Sequence, residues 1–166
     1  MIIVLEGVDC CYKSTVANKL KEKLNFEVIQ GSSFAQARCS RGELFSKFLK
    51  MVIGKTDLII DRYIYSNICY APLYKDFAMI NESQKKLIES LMTIEQVKVF
   101  YLYADADTIK KRIKVRGDEY VKSDQIEQIL NQYNSVWDST EYQINKINTA
   151  NQTSNEIVED ILNKIK

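Results

Sequence analysis

Apolar and polar positions fall into blocks along the chain, and the period changes from block to block. Ile2-Ile3-Val4-Leu5 is continuously apolar and too short for a helix, the pattern of a strand buried on both faces. Val16, Leu20 and Leu24 at helical spacing predict a helix over 16–24. Phe26-Glu27-Val28-Ile29 predicts a second, short strand, broken by Gly31-Ser32-Ser33. Two helical pieces are expected over 34–51, with Leu44, Phe45, Phe48 and Leu49 on one face, and Gly54 closes the segment. Leu58-Ile59-Ile60 predicts a third buried strand that ends in Asp61-Arg62-Tyr63. The stretch from Tyr65 to Tyr74 starts helically until Pro72, the chain's one proline, interrupts it.

A helix is predicted over 81–92, with Asn81 as N-cap, Gln84 completing a capping box, and Leu87, Ile88 and Leu91 as the apolar face. Val97 to Tyr103 predicts the fourth strand. Asp105 or Asp107 caps the next helix, which turns Ile109 and Ile113 inward and ends at Gly117. Gly117 to Lys122 is expected as a mobile loop. Asp124 to Trp137 is helical in pattern, with Ile126, Ile129, Leu130, Tyr133 and Trp137 on one core-facing stripe. Tyr142 to Ile147 predicts a fifth strand. Thr153 and Glu156 form a capping box for a last helix carrying Ile157, Val158, Ile161, Leu162 and Ile165. Strands that alternate with helices in this way predict an α/β fold: a five-stranded parallel sheet with helices on both faces. Ligands of such sheets sit beyond the carboxyl ends of the strands.

Composition narrows the function. At 166 residues, 46% apolar and 27% charged, the chain fits one globular domain spanning 1–166. Its net charge of +1, with acids and bases interspersed, argues against a nucleic-acid polymer or a membrane surface as partner. The absence of histidine removes His-based catalysis and His metal ligands. Cys10, Cys11, Cys39 and Cys69 show no C-x2-C spacing for zinc. With no leader pattern ahead of them they are expected as reduced thiols in a cytoplasmic protein. No apolar run approaches the ~20 residues of a membrane span.

The chemistry concentrates at three strand ends. After the first strand comes Gly7-Val8-Asp9-Cys10-Cys11-Tyr12-Lys13-Ser14-Thr15, a phosphate-loop pattern in which Tyr12 stands where the second glycine belongs. A strand–loop–helix turn aims backbone N–H groups and a helix N-terminus at an anion. Gly7 and Asp9 to Thr15 are therefore assigned to ATP, with Lys13 reaching the outer phosphates. Tyr12 either keeps φ negative or distorts the loop. Ser14 and Asp61 are the candidate Mg²⁺ ligands, and Arg62 the candidate clamp on the transferred phosphate. Arg112 and Arg116, beside the mobile loop, are expected to close over the reaction as a lid. Plainer alternatives exist: Asp61 as a helix cap, Arg62 as a surface ion pair, Asp9 as a turn residue, and Cys10-Cys11 as inert packing.

Three motifs in order resemble one family. Glu6-Gly7-Val8-Asp9 with Lys13-Ser14-Thr15, Asp61-Arg62-Tyr63 followed by Ser66 and Tyr70, and Arg112-Ile113-Lys114-Val115-Arg116-Gly117 are similar to the motifs of thymidylate kinases and phage-type deoxynucleotide kinases. The resemblance implies a P-loop kinase fold with a lid at about 112–123. It implies Mg²⁺-dependent transfer of the ATP γ-phosphate to dTMP, giving dTDP and ADP, and a possible homodimer. It also implies that Asp9, Arg62, Ser66 and Tyr70 meet the acceptor nucleotide. Ala71 stands where the family has Gln. The stretch between the second and third strands is short, leaving Arg38 or Arg41, and Phe34 or Phe45, for the acceptor's phosphate and base. The nearest rival is a deoxynucleoside kinase acting on a 5′-hydroxyl. A rival of another class is an inactive nucleotide-binding protein, motivated by Tyr12.

Overall fold

The structure, a computed structural model, describes residues 1–32, 34–117 and 123–165, the side chains at 34, 35 and 123 excepted. Residues 118–122, most of the loop expected at 117–122 and the centre of the expected lid, lie outside the described residues.

Five strands form one parallel sheet: β1 (Ile2–Glu6), β2 (Glu27–Gln30), β3 (Leu58–Asp61), β4 (Val97–Tyr103) and β5 (Ile144–Asn148), in the order β2-β3-β1-β4-β5. All of β1 and β3 is buried, as their continuous apolar runs require. The chain reverses direction of winding at β1, which lies between β3 and β4. The crevice for a ligand therefore opens at the carboxyl ends of β1 and β3, where Leu5 pairs with Asp61 and Asp61 with Gln30.

The helices are α1 (Lys13–Leu24), α2 (Phe34–Ala37), α3 (Arg41–Val52), α4 (Ile64–Tyr70), α5 (Glu82–Ile94), α6 (Ala106–Arg116), α7 (Ile126–Asp138) and α8 (Ser154–Ile165). Among the described residues no helix is long and apolar enough to cross a membrane. The capping boxes Asn81/Gln84 and Thr153/Glu156 form as the sequence predicts, and Ser40/Glu43 adds one at α3. Asp105, not Asp107, caps α6, because its carboxylate accepts from both the Thr108 N–H and hydroxyl. Gly117 ends α6 in the left-handed conformation, at φ 73°.

Several expectations need correction. Helix α1 begins at Lys13, three residues before the first apolar position, because the loop runs straight into it. The buried face of α5 is Lys85, Ile88 and Met92, while Leu87 is 51% exposed. Lys85 keeps that place by pairing with Glu82 and Glu89, each at 3.7 Å. Tyr142 precedes β5 and is not part of it: its hydroxyl donates to the Val97 carbonyl at 2.6 Å, tying the strand's approach to β4. Helix α7 starts at Ile126, after a 3₁₀ turn at Ser123–Gln125.

Candidate active site

The phosphate loop runs from the end of β1 into α1 and is held in a conformation that its side chains disfavour. Gly7 lies at φ +142°, and a Cβ there would stand 2.1 Å from the Leu102 carbonyl oxygen, so only glycine fits. Cys10 and Tyr12 both adopt left-handed backbone, at φ 60° and 64°. Tyr12 thus takes a left-handed conformation that favours glycine, at a cost of about 1–3 kcal/mol. Its carbonyl starts α1 by accepting from the Val16 N–H at 2.8 Å. Cys11 is wholly buried, and burial pushes its thiol pKa up, which keeps it protonated and inert.

A cleft of ≈ 410 Å³ opens beside the loop, lined by Asp9, Cys10, Tyr12, Lys13, Ser14 and Thr15 on one side. Gln30, Asp61, Arg62, Arg112 and Arg116 line the rest. Lys13 is buried and donates to the Val8 carbonyl at 2.6 Å, folded back on its own loop. Burial lowers its pKa and the neighbouring Arg62 charge lowers it further, against Asp9 and Asp61, which raise it.

The Ser14 hydroxyl donates to Asp61 Oδ2 at 2.6 Å, and Gln30 Nε2 donates to the same oxygen at 3.2 Å. Asp61 Oδ1 is buried with no partner among the described residues. A hydroxyl, a carboxylate and one spare carboxylate oxygen are hard donors of the kind Mg²⁺ takes alongside substrate phosphates, so these residues fit that ion. Asp61 does not cap α4. That task falls to Glu6, whose Oε1 accepts from the Tyr63 and Ser66 N–H groups at 2.9 and 3.2 Å.

Arg62 sits at φ 68°, and its carbonyl accepts from the Ser32 N–H at 3.0 Å. Its guanidinium donates to Asp9 Oδ1 at 2.6 Å and to the Gly7 carbonyl at 3.1 Å. It also lies over the Tyr70 ring at 4.9 Å, and the Tyr70 hydroxyl donates to Asp9 Oδ2 at 2.8 Å. With side chains only 16% and 22% exposed, Arg62 and Asp9 form a half-sunken pair and not a surface one. Burial raises the Asp9 pKa, but Arg62 and Lys13 outweigh it and hold the carboxyl below its ordinary value.

Arg112 reaches from α6 across the loop. It donates to the Cys10 carbonyl at 3.3 Å, to Thr149 Oγ1 at 3.0 Å and to the Thr149 and Ala150 carbonyls at 2.6 and 3.4 Å. Its guanidinium lies over the Tyr12 ring, 4.6 Å from the centroid. Arg116 is exposed at the cleft rim.

The other expected acceptor residues lie elsewhere. Ser66 is buried, and its hydroxyl donates to Glu6 Oε2. Arg38 is exposed after α2, Arg41 is exposed at the start of α3, and Phe45 packs partly buried on α3; none of the three lines the cleft. Phe34 opens α2, and its side chain lies outside the described residues. Four residues with no expected role at the site also take part: Glu6, Gln30, Thr149 and Tyr133. Tyr133 is a core residue, as its stripe predicts, but its hydroxyl also accepts from the Gly7 N–H at 3.3 Å and touches Ser66 Oγ at 2.8 Å. An acid ending a buried strand was the available signal for Glu6.

The chain is similar to several known proteins. A protein of Bacillus subtilis, the SPbeta prophage-derived uncharacterized protein YorR, is 42% identical over 97% of this chain and 96% of its own length. Its crystal structure, in complex with phosphorylated GDP, superposes with a TM-score of 0.92 at 41% identity, covering 99% of this chain and 95% of that one. A probable thymidylate kinase of Methanocaldococcus jannaschii is 26% identical over all of this chain and 96% of its own. The thymidylate kinase of Candida albicans shares the fold, with a TM-score of 0.66 at 19% identity over 99% of this chain and 90% of that one. The family model described as thymidylate kinase matches residues 34–161, and with the phosphate loop preceding that span the chain belongs to the thymidylate kinase family.

Proposed function

We propose that this nucleotide kinase transfers the ATP γ-phosphate to a deoxynucleoside monophosphate, dTMP first, releasing ADP and dTDP. The observation that carries the reading is one cleft that brings together two chemically different groups. Lys13, the loop N–H groups and the Ser14–Asp61 pair form a donor-phosphate side. Next to it lies the hydrogen-bonded set Asp9–Arg62–Tyr70, in which Asp9 and Arg62 line the cleft and Tyr70 is buried behind them, as the acceptor group.

Phosphoryl transfer asks the protein for alignment and for positive charge around the moving group, with little covalent work. Lys13 and the start of α1 hold the donor's phosphates. Arg62 donates to the transferring group while Asp9 keeps its fork in plane. Tyr70 and Asp9 meet the acceptor, and Arg116 closes over the site from α6. Ser14 and Asp61 would hold Mg²⁺, which neutralises phosphate charge when bound. The family resemblance supports small nucleotide substrates and a homodimer, and the four free cysteines support a cytoplasmic setting.

The test is ADP release with ATP and Mg²⁺ against each deoxynucleoside, each deoxynucleoside monophosphate and water. Because the relative was crystallised with phosphorylated GDP, dGMP is tested as an acceptor and GTP as a donor as well. Turnover with dTMP is the expected result. Turnover with another monophosphate keeps the mechanism and replaces the substrate. Turnover with nucleosides alone, or none with nucleotide still bound, overturns the proposal.

A further inference from the structure

We infer that Tyr12 is a positioning residue whose ring holds the Arg112 guanidinium across the phosphate loop and thereby sets the affinity for the donor nucleotide. Tyr12 occupies left-handed backbone, where glycine would rest without strain. Its side chain makes no cap bond to α1 and is 37% exposed. The ring stands against the Arg112 guanidinium, 4.6 Å from its centroid. That guanidinium bonds the Cys10 carbonyl of the loop and the Thr149 and Ala150 carbonyls after β5. Thr149 is itself buried, its hydroxyl bonded to the Tyr103 carbonyl at the end of β4. Arg112 therefore fastens α6 to the phosphate loop, which lines the cleft, and to the turn after β5, and four acceptors hold its plane from the edges. Tyr12 supplies an aromatic face set against that plane. A planar cation over an aromatic ring is attracted to it and loses freedom to tilt.

The inference rests on the cleft's being the nucleotide site, and its consequence is a paired dependence. Tyr12→Gly relieves the backbone and removes the face. It should weaken ADP binding on the order of 3- to 10-fold, the equivalent of one cation–π contact. Tyr12→Phe keeps the face and should recover most of that loss. Arg112→Ala should cost less in a Tyr12→Gly background than in the wild type, because the two act as one unit.

The experiment is equilibrium titration of ADP into the wild type, Tyr12→Gly, Tyr12→Phe, Arg112→Ala and the Tyr12→Gly/Arg112→Ala double variant. The same five proteins are unfolded thermally without nucleotide. Unchanged ADP affinity in Tyr12→Gly, a Phe variant as weak as the Gly variant, or strictly additive losses would each overturn the inference. If the wild type binds no nucleotide, the kinase reading falls and the affinity role of Tyr12 with it. The unfolding cycle then still decides the Tyr12–Arg112 coupling. Positive coupling in both readouts supports the inference.

Discussion

Asp9 and Arg62 meet at 2.6 Å across the mouth of the cleft, and each holds the other in an otherwise unfavourable place. Asp9 is a half-buried carboxylate that stays ionised because Arg62 is there. Arg62 accepts a left-handed backbone that puts its guanidinium beside the Gly7 carbonyl. The fork is thus aligned before any substrate arrives, which is where a transferred phosphoryl group gains most from a fixed positive charge. Arg62→Ala is expected to lower kcat by about 10²–10³-fold, the loss of one aligned transition-state donor. ATP affinity should change far less. Steady-state kinetics beside nucleotide titration check this, and equal losses in both would assign Arg62 to ground-state binding.

Gly31 is the reason Arg62 can be where it is. A Cβ at Gly31 would lie 1.8 Å from the Arg62 carbonyl oxygen and 2.5 Å from Ile60 Cγ2. The first of these is backbone and has no rotamer to move away. Gly31→Ala should destabilise the fold by about 1–3 kcal/mol or more, the range of overpacking in a filled core. It should also reduce turnover in the molecules that remain folded, since the Arg62 backbone must shift. Gly42→Ala is the control, because a Cβ there meets nothing within 4 Å. Urea unfolding and activity of both variants measure the two effects separately.

The architecture was legible because the strands at the sheet centre are buried on both faces and leave unbroken apolar runs, and because caps such as Asn81/Gln84 are local. The surroundings of the phosphate loop were less so. Glu6 caps α4 from 57 residues away in sequence, and Tyr133 reaches the phosphate loop from 126 away; neither distance leaves a period or a spacing in the chain. The α5 face misled for a different reason. Leu87 satisfies an apolar pattern, yet paired Lys85 takes the inner position because two carboxylates on neighbouring turns neutralise it. At Tyr12 the residue type argued against left-handed backbone, while the loop's demand for that geometry prevailed.

Ser14 and Asp61 yield a prediction about Mg²⁺ that Lys13 does not share. The buried Asp61 Oδ1 has no partner among the described residues and is the oxygen left over for a cation or its water. Ser14→Ala and Asp61→Asn should each raise the Mg²⁺ concentration for half-maximal activity by about 10–100-fold, the usual consequence of losing a supporting oxygen. Lys13→Ala should instead abolish transfer at every Mg²⁺ concentration while the protein stays folded. Rates measured across a Mg²⁺ titration distinguish the two behaviours. A Ser14→Ala curve that overlays the wild type would remove Ser14 from the metal's surroundings.

Glu6 gives the fold a pH dependence of opposite sign to that of Asp9. Burial raises the Glu6 pKa above its ordinary 4.5, and the Ser66 hydroxyl and the Tyr63 and Ser66 N–H groups only partly offset this. Its contribution to stability is therefore complete below the ordinary carboxyl value. It is lost as pH rises through the elevated folded value, because the unfolded chain ionises first. Asp9, held low by Arg62 and Lys13 despite its burial, contributes above the ordinary Asp value and loses that contribution as pH falls through its depressed one. Glu6→Gln keeps an oxygen for the Tyr63 and Ser66 N–H groups and presents its amide to the Ser66 and Tyr133 hydroxyls. Urea midpoints from about pH 4 to about pH 8 should then fall more steeply in the wild type than in Glu6→Gln, with the gap widening from about 4.5 upward. Parallel curves would mean that the Glu6 carboxyl does not titrate in that window, and that its bonds to α4 and Tyr133 keep it ionised throughout.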